Sequence, residues 1–405
     1  MKLVQLDTLR FAAHPNLLVL RLHTDEGVIG LGETFFGARS VEAYLHESAA
    51  ATLLGRDPTA IRALERELAD YYVGYLGTGA ETRGNSAVNL ALWDIVGRSL
   101  DRPVHELLGG PVRDDLHVYN TCAGYGYVQH EPSVSSSNWA LPEDRVTGPY
   151  EDLEGFLHRP EELARSLRDE RVSGMKIWPF DEAAERTGGT HIPDADLAQG
   201  VEIVARIREA VGHDIDVMVE LHGLWYRPAA ERIARALEPY EPYWIEDPLR
   251  GDDLEALAAL TASTPIPIAM GETLAGRPAY RRLLDLRAVD IAIVDPVWTG
   301  GLSEAVRVAD LAETAKTPVA THDCTGPIAF AACVHFSMSQ PGALIQETVR
   351  AFHSSWYADL ATNLPPIVAG RVSAPPGPGL GVELQPDLDE RPGVTVTTST
   401  VRDRS

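Results

Sequence analysis

The stretch DVMVELHG (216–223), with YWIEDP (243–248) and IPIAMGETL (266–274) after it, decides the fold. Each is a short apolar run that ends in a glutamate: Glu220, Glu246 and Glu272, at a constant interval from one to the next. Short apolar runs bounded by polar residues read as buried strands. Working outward, HVYNT (117–121), GMKIW (174–178), DIAIVD (290–295), TPVATH (317–322) and ALIQE (343–347) complete a set of eight. Between them lie stretches such as QGVEIVARIREAV (199–211), PAAERIARALEPY (228–240) and SEAVRVADLAETA (303–315), with apolar residues at helical spacing. Strands alternating with helices imply parallel pairing. Eight such units imply a (β/α)8 TIM-type barrel, here expected over 116–365. A doubly wound open sheet would show the same alternation, but no Gly-rich phosphate fingerprint supports it.

Residues 1–115 read as a separate α+β unit. LLVLRLHTDEGVIGLGET (17–34) reads as two strands around the turn TDEG, and SVEAYLHESAAATLLG (40–55) and AVNLALWDIVGRSLD (87–101) as helices. A segment at 122–160, rich in Ser, Pro, Gly and aromatics, interrupts the rhythm after the first barrel strand; insertions of this kind are more often functional than structural.

The chain has 405 residues, 44% of them hydrophobic, and a formal net charge of −24. That balance argues against nucleic acid and against an anionic membrane surface, since both need Lys and Arg. No run of about 18 apolar residues exists, so no membrane span is expected. Three cysteines without a CxxC pattern, and a start, MKLVQLDTLR, without a secretory pattern, make the cytoplasm the expected compartment.

In a barrel the C-terminal strand ends open on one face. Glu220, Glu246 and Glu272 therefore converge from successive strands and would repel without a counterion. An all-oxygen donor set favours one Mg²⁺. Asp295 and His322 end the next two strands, an arrangement that orients an imidazole and raises its basicity. Glu347 ends the eighth; as a protonated acid it could donate to a developing oxyanion, and as a carboxylate it could pair with Arg350. Lys176 ends the second strand and could exchange a proton if its pKa is lowered. His222 lies two residues past Glu220, and on an extended backbone it would face the same pocket.

These motifs resemble the enolase superfamily, in its mandelate racemase-like branch. NLALWDIVGRSLDRPVHELLGGPVRD (89–114) looks like the family's junction between cap and barrel. ELHG, IEDP, GET, DPVWTGG (295–301), THDCTGPIAFAA (321–332) and IQE follow in the family's order. The resemblance implies an α+β capping domain to which residues 366–405 return. It also implies Mg²⁺ on Glu220, Glu246 and Glu272, a His322–Asp295 dyad, and Glu347 on the oxyanion side. Lys176 matches the first Lys of the family's K-x-K pair, but Trp178 occupies the second position, which weakens a racemase or epimerase reading. ELH is similar to the D-x-H of acid-sugar dehydratases, and gives His222 the role of helping a hydroxyl leave.

The implied function is elimination of water from a small acid sugar to give a 2-keto-3-deoxy acid. A cycloisomerase that expels a ring oxygen is the alternative; a non-catalytic sugar-acid sensor would lack the base or a ligand. Substrate contacts are expected from His14, Phe35 and Phe36 in the cap, from Tyr125, Tyr127 and Trp139 in the insertion, and from Trp178, Trp225 and Trp298 beyond strand ends. Relatives suggest a homo-oligomer.

Overall fold

The computed structural model describes residues 1–70, 79–129 and 148–401. The N-terminal unit is an antiparallel sheet of β1 (Leu3–Phe11), β2 (Leu17–Thr24) and β3 (Ile29–Phe35), packed on the helix Ala80–Leu100. Val394–Thr400 adds to it as a fourth strand, antiparallel to β1. β1 was not foreseen: Gln5, Asp7 and Arg10 break its apolar run, yet Asp7 is buried beneath His23 and Thr398. Gly32 lets β3 touch the helix, since a Cβ there would lie 2.0 Å from the Ala87 carbonyl oxygen.

The barrel follows. Its strands are β4 (Leu116–Thr121), β5 (Gly174–Ile177), β6 (Asp216–Glu220), β7 (Trp244–Glu246), β8 (Ile268–Met270), β9 (Ile291–Val294), β10 (Val319–Thr321) and β11 (Ala343–Thr348). They pair in parallel in chain order, and β11 pairs back to β4, so the sheet closes. All eight runs read from the sequence are strands. Residues 367–372, expected to leave for the cap, instead form a hairpin that pairs with β4. Only the later segment crosses over.

Alternation along each strand separates two layers. Val217, Val219 and Ile245 face outward toward the helices, whereas Tyr119, Met218, Trp244, Ala269, Ile293 and Ala320 fill the interior. The Tyr119 and Trp244 rings meet edge to face at 5.4 Å and form a packed floor below the strand ends. The same alternation that buries Met218 and Trp244 turns Glu220 and Glu246 inward, where the register pairs them side by side.

Cap and barrel meet through buried polar contacts. Asn89 and Trp93 of the long cap helix donate to the Ser303 hydroxyl. From β3, the buried Glu33 accepts from Ile328 N at the start of the barrel helix Pro327–Ser339. Its carboxylate thus caps a helix N-terminus across the domain boundary. Burial outweighs these amides and pushes its pKa up to about 8.

Since this folded value lies above the ordinary 4.5, Glu33 supports stability fully below about pH 4.5. That contribution is lost as pH rises through about 8. Glu33→Gln keeps an acceptor but cannot ionise. It should flatten the decline in melting temperature between pH 5 and pH 8, over which the parent loses on the order of a few kcal/mol. Parallel pH slopes for the two proteins would refute the assignment.

Candidate active site

The strand ends surround a cavity of about 150 Å³. Glu220 and Glu246 end β6 and β7, while Glu272 lies two residues beyond β8. A turn at Gly271 (φ 143) brings Glu272 back over the opening; a Cβ there would lie 2.4 Å from the Ile293 carbonyl oxygen. One carboxylate oxygen from each glutamate lies within 4.8 Å of the others. Three carboxylate oxygens gathered this way are the donor set that a hard divalent cation such as Mg²⁺ takes.

Lys176 Nζ lies beside two of these glutamates and Glu347, 2.8 Å from Glu246, 3.4 Å from Glu220 and 3.1 Å from Glu347. Burial opposes its charge, but Glu246 and Glu347 outweigh burial and hold the ammonium well above its ordinary pKa. The lowered pKa needed for acid–base exchange is therefore absent in this arrangement. Like-charge crowding and burial leave their mark on the acids. Burial, with Glu220 and Glu347 nearby, pushes Glu246 up to about 7 despite Lys176. Asp247, buried beside Glu272, is raised well above its ordinary value.

Glu347 differs from the expectation of a protonated donor. Burial favours its neutral form, but Lys176, His322, the Thr121 hydroxyl and the Asp323 amide together lower its pKa. It accepts hydrogen bonds rather than donating them. Arg350 is not its partner, because that guanidinium forks onto Asp152 at 2.7 Å through two nitrogens and reaches Glu170.

Two histidines face the cavity, each with a carboxylate behind it. His322 follows β10, and its Nδ1 lies 2.7 Å from Asp295 Oδ2, with Nε2 3.6 Å from Glu272. His222 follows β6, and its Nδ1 lies 2.7 Å from Asp181 Oδ2. Three strands lie between β6 and β10 in either direction round the closed ring of eight, so the two pairs stand on opposite sides. His222 does not reach the cavity along extended backbone, as the i, i+2 argument held; its φ is 49. Its amide donates 2.8 Å to Glu220 Oε1, which turns the chain. Burial disfavours both imidazolium forms. Glu272 and Asp295 nevertheless push His322 up to about 10, and Asp181 and Glu220 push His222 up to about 9.

Aromatic rings cover both histidines. Trp298 lies over His322 at 4.7 Å, and Trp178 meets His222 edge-on at 5.7 Å. Phe36 and Tyr127 also line the cavity. Four expected contacts are absent from the lining. His14 stacks on Trp356 at 4.4 Å. Phe35 is buried in the core. The Tyr125 hydroxyl accepts from Tyr150 N, and Trp225 is buried in the core. Trp139 lies outside the described residues.

Sequence reading gave no role to Asp181, Asp247 or Arg83. Asp247 was visible in IEDP itself, and Asp181 opens a helix in WPFDEAAERT just past Lys176. Arg83 carries no local signal, because only tertiary contact brings the cap to the barrel mouth.

A closed parallel barrel with an antiparallel cap and, at its mouth, a trio of glutamates that could hold a metal define the class of fold and site. The comparisons agree. Residues 9–109 match the N-terminal domain of mandelate racemase and muconate lactonizing enzyme, and residues 158–388 match the enolase C-terminal domain-like family. The chain belongs to the enolase superfamily, in its mandelate racemase-like branch. A D-galactonate dehydratase of Xanthomonas oryzae pv. oryzae is 33% identical over 403 residues, spanning 96% of this chain and 94% of that one. An enolase of the mandelate racemase subgroup from Agrobacterium tumefaciens is 43% identical, with a TM-score of 0.88 over 99% of this chain and 100% of that one. A putative dehydratase from Zymomonas mobilis superposes with a TM-score of 0.86 at 26% identity, over 99% of this chain and 100% of that one.

Two measurements check the site. Glu272→Gln should weaken Mg²⁺ binding at least about tenfold in a calorimetric titration, since it removes one anionic oxygen ligand. Asp181→Asn should lower the His222 pKa by about one unit or more in an NMR titration of the metal-free protein, because its nearest carboxylate is gone. An unchanged His222 titration would mean that Asp181 is not what holds its proton.

Proposed function

We propose that the protein is a Mg²⁺-dependent acid-sugar dehydratase. It removes the proton α to a carboxylate and expels the β-hydroxyl as water, giving a 2-keto-3-deoxy acid. The observation that carries this is the pair of carboxylate-backed imidazoles on opposite sides of the glutamate trio. Elimination needs a base and an acid at neighbouring carbons, and this arrangement supplies both.

Glu220, Glu246 and Glu272 would hold one Mg²⁺. When bound, the ion supplies positive charge beside the substrate carboxylate and stabilises the negative charge that develops there. His322 takes the α-proton at Nε2, and Asp295 fixes the ring through Nδ1. Among the neighbours that hold a proton on His322, Glu272 is the strongest. With Glu272 committed to a cation, that hold weakens and the imidazole becomes the base. His222, kept protonated by Asp181, donates to the departing hydroxyl. Lys176 remains an ammonium among Glu220, Glu246 and Glu347 and offsets their charge.

Trp178 stands where a second base would be needed for exchange from both faces. Its indole packs on Phe156 at 5.0 Å and Tyr127 at 5.3 Å. That packing favours one-way elimination over racemisation. The relatives named as dehydratases support the same reaction class. The three buried, unpaired cysteines fit a reducing compartment, and we place the enzyme in the cytoplasm.

A panel of acid sugars incubated with Mg²⁺ should yield a 2-keto product that a carbonyl reagent traps. His322→Asn should lower turnover by about 10³-fold or more while Mg²⁺ affinity stays within a few-fold. It should also abolish exchange of the α-hydrogen with deuterated water. A product of unchanged mass would identify a cycloisomerase instead, and retained turnover would place the base elsewhere.

A further inference from the structure

The cavity holds four cationic side chains among the described residues, and one of them lacks an anion. Lys176 has Glu246, His222 has Asp181 and His322 has Asp295. Arg83, from the first turn of the cap helix Ala80–Leu100, forms no ion pair with any described carboxylate. Its one hydrogen bond runs from Nη1 to the Phe35 carbonyl oxygen at 2.6 Å. Its guanidinium carbon lies 4.4 Å from the Trp298 ring centre and 6.0 Å from that of Phe36. Burial draws its pKa down, and only Asp295 and Glu272, each engaged by His322, draw it up.

A desolvated guanidinium without an anionic partner is a costly arrangement unless an anion arrives. Nε and Nη2 have no hydrogen-bond partner among the described residues, and together they match a planar carboxylate through two parallel N–H donors. Position adds the rest. The Trp298 ring neighbours both Arg83 and His322, at 4.4 Å from the guanidinium carbon and 4.7 Å from the imidazole centre. Arg83 is thus set one indole away from the candidate base, on the cap side.

We propose that Arg83 binds a second carboxylate at the far end of the substrate, so that the preferred substrate is a dicarboxylic acid sugar. This rests on the dehydratase reading for its chemistry, but not for its binding. The first carboxylate lies at the glutamate trio, the α-carbon faces His322, and the distal carboxylate meets Arg83. A neutral hydroxymethyl end would leave the guanidinium unpaired.

The test compares stereochemically matched acids with the Mg²⁺-loaded enzyme: a dicarboxylic acid sugar, its monocarboxylic counterpart and the terminal phosphate ester of the latter. The parent enzyme should favour the diacid in kcat/KM by about 10- to 100-fold, as expected for one charge-assisted bidentate contact. Arg83→Gln should collapse that ratio toward unity, mainly through KM, and Arg83→Lys should restore part of it. A structural role would lower diacid and monoacid turnover together and leave the ratio intact. Equal use of both acids by the parent, or preference for the phosphate ester, would overturn the proposal. Calorimetry with an inert short dicarboxylate and its monocarboxylate analogue separates the two claims. Diacid preference that depends on Arg83, without dehydration of any sugar, would sink the proposed reaction and keep the subsite. Dehydration without diacid preference would do the reverse.

Discussion

Negative charge gathered in a small dry space is the constraint on which the rest depends. Glu220, Glu246, Glu272, Asp247, Asp295 and Glu347 all open on one barrel mouth, mostly buried. Coulomb repulsion there is far stronger than in water. The chain answers with Lys176 among Glu220, Glu246 and Glu347, with two histidines whose carboxylate neighbours favour the charged ring, and with raised pKa values on Asp247 and Glu246. A divalent ion would relieve the same repulsion. The same crowding that makes the mouth costly alone would favour a metal there, as the proposed function requires.

Geometry at this mouth is delegated to strands, and selectivity to the cap. The chemical groups sit at or just beyond the ends of the barrel strands, above the packed layer of Tyr119, Met218 and Trp244. The cap is fastened to that frame by Glu33, Asn89 and Trp93, all within reach of helices that begin next to site residues. Arg83 and Phe36 therefore enter the cavity on a rigid mount rather than on a free loop. Firm attachment of this kind keeps a recognition group in register with the base.

Much of this was legible from residue types alone. The barrel could be read because each strand is a buried apolar run of the right length, and because its terminal residue is anomalous. Glu220, Glu246, Asp295 and His322 stand out since a charge at the end of a buried strand requires a reason. What stayed hidden depends on contacts between distant segments. β1 hides behind Asp7, whose burial is supported by partners from β2 and the C-terminal strand. Asp181 resembles any acid in the first turn of a helix until His222 is placed against it. His222 itself was expected for the wrong reason, because the turn after β6 is set by the Glu220 carboxylate and not by strand periodicity. His14 and Phe35 look like mouth residues by sequence position, yet stacking on Trp356 and burial in the core keep them out of the cavity lining.

The two imidazole–carboxylate pairs are mounted diametrically across the ring, each shielded by a tryptophan. In the proposed reaction, a molecule lying between them would meet a proton-accepting ring on one flank and a proton-giving ring on the other. Base and acid fixed on opposite flanks would impose a handedness on the carbons between them. The roof of the chamber would then decide which chains can turn the first carbon to match it. Choice among sugars could thus drift through changes in the lid while the machinery underneath stays fixed.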